Sequence, residues 1–420
     1  MLNVENDKAM KINVFAVVFT LSLTAAVHAQ QPERLSLQQC VDIAMGGNAG
    51  VKAAEKSVER AKALQGTAWD LDKTSLSLSQ DPTSGGSPDN AVSVTQEMEF
   101  PTLYVARRRQ LKAETSAERS RADMVRAQLG ADVASLYWQM VYQGEMIKIL
   151  QRHDNMLARY ESVATKRYEA GETRQVESLS ARRMRMENSQ ELSSARSELA
   201  ALQRQMAALL GTDRVMLPAE DSLVMLSGNG ISYNFSQTAE GRYANDRIAV
   251  ADRAVGVAKN GYAPTLSLSL RNQLVLSSWN PYDTDRSKFS GGNFMGFEVG
   301  VGVPIFYGAT KARVKAAKKE REIAELEMRQ TELQRNQEYA AGLARLETAR
   351  QKAEFYLGKG ADNMSEMMRI GSVEYENGEI SYIEYMDIMQ NAIDADIRRA
   401  DAVNGYNQAV VSLRRLTGGM

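Results

Sequence analysis

Thr265-Leu266-Ser267-Leu268-Ser269-Leu270-Arg271-Asn272-Gln273-Leu274-Val275-Leu276-Ser277 is the stretch that decides how this chain folds. Leu266, Leu268, Leu270, Leu274 and Leu276 alternate with Ser267, Ser269, Arg271, Gln273 and Ser277, the period-two pattern of a strand with one apolar and one polar face. Three more stretches repeat it. Val92, Val94, Met98 and Phe100 alternate with Ser93, Thr95, Glu97 and Glu99; Met295, Phe297, Val299, Val301 and Val303 with Gly296, Glu298, Gly300 and Gly302; and Leu76 and Leu78 with Ser75, Ser77 and Ser79. Two surroundings suit such strands: a half-buried sheet on a soluble core, or a membrane barrel with lipid outside and water inside. The placement of aromatics favours the barrel. Trp69, Phe100, Tyr104, Tyr262, Phe306 and Tyr307 mark one end of the strands, and Trp279, Tyr282, Phe289 and Phe294 the other, as the two interfaces of a bilayer require. The intervening hairpin loops, 81–90 and 278–292, are polar and rich in Gly and Pro. Four strands cannot close a barrel by themselves, so several chains must contribute to one.

Outward from these strands the chain duplicates itself. Arg167-Tyr168-Glu169-Ala170-Gly171-Glu172 returns as Glu374-Tyr375-Glu376-Asn377-Gly378-Glu379, and Leu209-Leu210-Gly211-Thr212 as Leu416-Thr417-Gly418-Gly419, at an offset of about 207 residues. Phe100-Pro101 and Val303-Pro304 pair at about 203. The repeats span 30–235 and 236–420. In the first we expect a hairpin at about 73–100, a long helix at about 102–169 and a return helix at about 174–211; in the second, a hairpin at about 264–304, a long helix at about 308–377 and a return helix at about 380–417. A helix over 102–169 would reach about 100 Å. The helices carry narrow seams: Leu192, Ala195, Leu199, Leu202, Met206 and Leu209; Leu129, Leu136, Met140, Ile147, Leu150 and Leu157; Ile323, Leu326, Leu333, Ala340 and Leu343; and Ile393, Ile397, Ala400, Val403, Tyr406, Val410 and Leu413. Spacings of three and four read as coiled-coil packing without a thick globular core. The fold class is mainly α with a β-barrel part.

Composition narrows the function. In 420 residues, 51 Lys+Arg against 52 Asp+Glu leave a net charge of −1, which offers no basic face for nucleic acid. Lys8 and Lys11, the apolar run 12–27 and Val27-His28-Ala29 read as a secretory signal peptide over 1–29, with Met1 and Met10 as candidate starts. No cysteine stands at that cleavage point, and Cys40, the only one, reads as a small buried residue. Beyond the leader His153 is the only histidine, and its polar neighbours Arg152 and Asp154 read it as solvated. With one Cys and one His, no ligand cluster or catalytic triad can be assembled in one chain, so neither enzyme activity nor a cofactor is expected. Met184, Met186, Met206, Met364, Met367 and Met368 fall on helices and read as packing residues.

The paired Tyr-x-x-Gly turns, the Pro304-Ile305-Phe306-Tyr307-Gly308 boundary, the Leu-x-Gly repeat ends and the opening Leu35-Ser36-Leu37-Gln38-Gln39-Cys40-Val41-Asp42-Ile43-Ala44 resemble the TolC-like outer membrane efflux protein family. The resemblance covers nearly the whole mature chain. It implies a homotrimer in the outer membrane whose twelve strands, four per chain, form one barrel continuing into a periplasmic helical tunnel. Its implied partners are outer-membrane lipid, a periplasmic adaptor and an inner-membrane pump, of the resistance-nodulation-division type by similarity. In the family's tapered tunnel end, Tyr375 and Gly378 are followed by the acidic pair Glu384 and Asp387, whose copies would ring the entrance as a selectivity gate. Tyr168, Gly171 and Glu177 are the first-repeat counterparts, with Arg167 and Arg174 available to pair with acids. Ile380 stands where some members carry a latch arginine. As helix ends, Gly171 and Gly378 also suit plain capping. A periplasmic coiled-coil adaptor or scaffold without a pore is the competing reading.

Overall fold

The computed structural model describes residues 33–82, 88–274 and 294–418. The leader, Leu276, the loop aromatics Trp279, Tyr282 and Phe289, and Gly419 lie outside the described residues. β1 (Glu33–Leu35) leads into α1 (Leu37–Gly47), α2 (Ala49–Leu64), β2 (Ser75–Pro82), β3 (Pro88–Glu99), α3 (Pro101–Glu169) and α4 (Gln175–Leu210). After β4 (Met216–Pro218) come α5 (Ala239–Lys259), β5 (Thr265–Leu274), β6 (Phe294–Gly302), α6 (Gly308–Leu357), α7 (Lys359–Glu376) and α8 (Tyr382–Thr417). α3 is unbroken over 69 residues, about 100 Å. It starts at Pro101, where a missing N–H leaves no helical bond unmade.

The second long helix departs from the sequence expectation. In place of one helix over 308–377, α6 and α7 meet at Gly358, whose φ of −104° and ψ of −124° leave the helical region. Gly358 and Gly360 both lie at the break, and each glycine weakens a helix interior by about 1 kcal/mol. The turns themselves are copied closely. Gly171 and Gly378 both take positive φ, 74° and 76°, and the next residue reaches back five positions in each: Glu172 N–H donates to the Arg167 carbonyl at 2.9 Å, Glu379 N–H to the Glu374 carbonyl at 2.8 Å. These are Schellman ends, which satisfy carbonyls that a helix terminus orphans.

The four strands form one antiparallel sheet in the order β2-β3-β5-β6. Its register aligns Leu76, Val94, Leu270 and Phe297 in one row across all four strands. Ser77, Ser93, Arg271 and Gly296 make the adjacent row on the opposite face. The apolar face is uncovered: Phe297 is 77% exposed, with Leu76, Leu78, Leu270 and Val299 also open. β2 and β3 pair as far as Pro82 and Pro88, so the first hairpin loop is narrower than the 81–90 read from sequence.

The helices continue the sheet without folding back on it. α2, α3, α5 and α6 touch in that order, the order of the strands they join. Further down, α4 packs on α3, α3 on α8, and α8 on α6 and α7. The chain is therefore a ribbon one helix thick with two open edges. Because α6 lies on an edge, the seam expected at Ile323, Leu326, Leu333, Ala340 and Leu343 is exposed along the chain. The returning seam on α8 faces neighbours and is buried at Ile393, Ala400, Val403, Tyr406, Val410 and Leu413.

Midway along the ribbon, Cys40, Ala44 and Val51 pack on Val133, Tyr137 and Met140 of α3 and on Met206 and Leu210 of α4. Burial pushes the Cys40 thiol up to about 11, which keeps it protonated and inert. β1 and β4 pair in parallel here and tie the start of the described chain to the linker between the repeats. Asn407, fully buried, clamps that linker to α8. It accepts from Leu226 N–H at 2.9 Å and donates to the Val224 carbonyl at 2.8 Å. Asn407→Ala leaves both linker groups unpaired, and a loss of about 2–3 kcal/mol is expected in denaturant titration of the detergent-solubilised protein.

Two side-chain expectations need correction. His153 is 4% exposed, not solvated. α8 covers it, and its Nε2 lies 3.2 Å from Asp396 Oδ2, whose carboxyl is held below its usual range by that bond. Met186 and Met367 are exposed, while Met184 and Met206 are packed.

Candidate functional site

The two duplicated turns meet at the end of the ribbon remote from the sheet. Three helices bring the aromatics there together. Tyr160 of α3, Tyr375 of α7 and Tyr385 of α8 are buried with Leu157, Ala181 and Met389. Tyr375 and Tyr385 stack at 4.4 Å between centroids with 4° between planes, and Tyr160 stacks on Tyr382 at 6.2 Å. Burial raises all three buried phenols above their ordinary range, so they remain neutral hydroxyls.

The turn residues named from sequence divide between this cluster and the surface. Arg167 holds its guanidinium 5.2 Å above the Tyr375 ring and its Nε 3.5 Å from Glu172. It thus bridges the two turns by a cation–π contact, one repeat to the other. Arg174 is the uncapped N-terminal residue of α4 and is exposed. Tyr168 and Tyr375 occupy equivalent repeat positions, yet Tyr168 is 40% exposed and Tyr375 only 3%. Ile380 packs against the aromatic cluster.

The acids divide likewise. Glu384 closes a capping box at the start of α8: Ser381 N–H donates to its carboxylate at 2.8 Å, and Glu384 N–H donates to the Ser381 hydroxyl at 3.3 Å. Those bonds hold its carboxyl below the usual range and hence ionised. The Ser381-x-x-Glu384 spacing is a capping signature legible in the sequence. Asp387, one turn further and exposed, accepts from Asn391 at 3.2 Å. In the first repeat Arg174 stands where Ser381 would be, so Glu177 has no cap to close. Glu177 Oε2, Tyr160 Oη, Tyr375 Oη and Thr173 Oγ1 are buried without hydrogen-bond partners. Unpaired buried polar atoms disfavour the packing that leaves them so. Among the described residues no group of three His, Cys, Asp or Glu side chains could hold a metal.

The chain thus combines a sheet apolar on one face, a layer one helix thick that prolongs it, and a paired-turn tip. Residues 242–419 match the family model described as outer membrane efflux protein. The match lies within the second repeat and makes the chain similar to that family there. Among solved structures, CusC superposes with a TM-score of 0.75 at 16% identity, covering 94% of this chain and 96% of that one. The Campylobacter jejuni CmeC outer membrane channel gives 0.72 at 17%, covering 94% and 90%. The open state of the Neisseria gonorrhoeae MtrE outer membrane channel gives 0.72 at 17%, covering 94% of each. No curated protein matches the sequence at a significant level.

Proposed function

We propose that three copies of this chain close edge to edge into a twelve-stranded barrel and helical tunnel. The assembly is the passive exit duct of a tripartite efflux system. The observation that carries this reading is the ribbon: β2 and β6 are open edges of the sheet, and Ile323, Leu326 and Leu333 on one helical edge are exposed, as are Val176 and Leu179 on the other. Unpaired strand edges are not tolerated in lipid, and pairing β6 of one copy with β2 of the next removes them. A periplasmic adaptor engages the tip around Gly171 and Gly378, and an inner-membrane pump of the resistance-nodulation-division type supplies the energy. The chain itself is assigned no enzymatic step. Membrane fractionation tests the reading: a heat-resistant trimer in the outer membrane is expected, and a soluble periplasmic species would favour a scaffold protein.

At the tip, Glu384 and Asp387 from three copies, with Glu177 behind them, make a cation-attracting ring. The double variant Glu384→Gln, Asp387→Asn removes the charges while Gln still closes the capping box. In planar bilayers its cation-over-anion permeability ratio is expected to fall by about twofold or more. An unchanged ratio would remove these residues from the gate.

A further inference from the structure

The cations of this chain are not spread evenly, and their distribution points to lipid. Between Pro101 and Ala113 the sequence holds Arg107, Arg108, Arg109 and Lys112 and no acid. Between Val303 and Lys319 it holds Lys311, Arg313, Lys315, Lys318 and Lys319, again with no acid. These stretches cover roughly the first three turns of α3 and α6, the helices that follow β3 and β6. In a chain of net charge −1, they form a basic belt against the rim of the barrel. Of these nine, only Lys319 enters an ion pair among the described residues, with Glu322, and Arg107 lies over the Tyr104 ring.

Part of the belt surrounds a groove of about 500 Å³ over α5, with Arg109 on one wall and Lys318 and Arg321 on the other. Lys259 and Arg253 of α5 also line it. Its acids are already engaged: Asp252 pairs with Arg321 at 3.5 Å and with Arg253 at 3.9 Å, and Glu322 pairs with Lys319. Among the described residues Arg109, Lys259 and Lys318 are left with no acidic partner.

Position identifies the occupant. The apolar face of the sheet ends at the Met98, Leu266, Val301 row, and Phe306, 93% exposed, and Tyr307 follow at interfacial height. The polar layer of a bilayer begins there and extends some 5–8 Å. Helical side chains lean toward the N-terminus of their helix. Because α3 and α6 both begin at the membrane, their Arg and Lys side chains lean back toward it.

We infer that this groove and the belt around it bind the headgroups of anionic phospholipids in the periplasmic leaflet of the outer membrane. The inference rests on the outer-membrane placement, whose own failure would appear in fractionation. The test is native mass spectrometry of the full, detergent-solubilised protein titrated with phosphatidylglycerol or phosphatidylethanolamine of the same acyl chains. Wild type is expected to retain phosphatidylglycerol about tenfold more tightly at low salt and to lose that preference as salt rises, with screening. The triple variant Arg109→Gln, Lys259→Gln, Lys318→Gln is expected to bring the preference to within about twofold while leaving the ion selectivity of the pore unchanged. Equal retention of both lipids by wild type, or a preference that survives the substitutions, would overturn the inference. A shift in pore selectivity with lipid preference intact would place the groove on the duct wall instead, and displacement of the lipid by millimolar inorganic phosphate would make it a free-anion site.

Discussion

Leu270→Arg is expected to abolish the heat-resistant outer-membrane species, whereas Ser77→Arg leaves it in place. The two residues sit in adjacent rows of one sheet. Leu270 belongs to the row shared with Leu76, Val94 and Phe297, and Ser77 to the row shared with Ser93, Arg271 and Gly296. A barrel in lipid makes these rows opposites. An arginine facing hydrocarbon costs about 2–4 kcal/mol near the bilayer centre, and three copies multiply it, whereas an arginine facing the aqueous lumen remains hydrated. Immunodetection of heated and unheated outer-membrane fractions reads both variants. If Leu270→Arg assembled as well as Ser77→Arg, the apolar face would not meet lipid, and the scaffold reading would regain its ground.

Gly211→Ala is expected to destabilise the protein by about 3 kcal/mol, and the same change at the equivalent Gly418 by about 1 kcal/mol. Both glycines end a return helix with positive φ, 66° and 70°, a conformation that penalises any Cβ. What separates them is the neighbour. A Cβ on Gly211 would stand 2.6 Å from the Gly47 carbonyl oxygen and 2.7 Å from its carbon, whereas one on Gly418 meets nothing within 4 Å. Gly47 is equally confined, since its own Cβ would lie 2.2 Å from the Leu210 carbonyl oxygen. Beside them Asn48 donates to the Leu209 carbonyl at 3.0 Å and caps α2 through Gly50 N–H at 2.8 Å. This backbone-on-backbone crossing joins α1 and α2 to the end of α4. Denaturant midpoints of the two variants, measured in one detergent, check the contrast; equal losses would mean that φ alone sets the cost.

How much of this was legible in the sequence differs from one feature to the next. The strands at Leu266 to Leu274 and Met295 to Val301 are plain in the chain because a sheet with one face in lipid imposes period two on every residue. Gly171 and Gly378 announce helix ends for an equally local reason, the left-handed backbone after the last helical turn. The tip was legible only as a set of candidates. Equal motifs at Tyr168 and Tyr375 gave no sign that the second would be buried under Arg167 and stacked on Tyr385. Glu384 carries its capping role openly, three residues after Ser381. His153 reads as solvated because its flanking residues are polar, while Asp396 on the helix that buries it lies 243 positions away.

The sequence by itself determined the duplication, the four amphipathic strands, the long helices and the sites of their turns, because each is written in a pattern only a few residues long. Only the tertiary structure decided which copy of a repeated residue faces inward, that Gly47 and Gly211 cross backbone to backbone, and that the seam on α6 is left bare along the ribbon's edge. Burial of that kind depends on neighbours remote in the chain. Two long helices nearly alike in local pattern become unlike in role once one, α3, lies in the middle of the ribbon and the other, α6, at its margin.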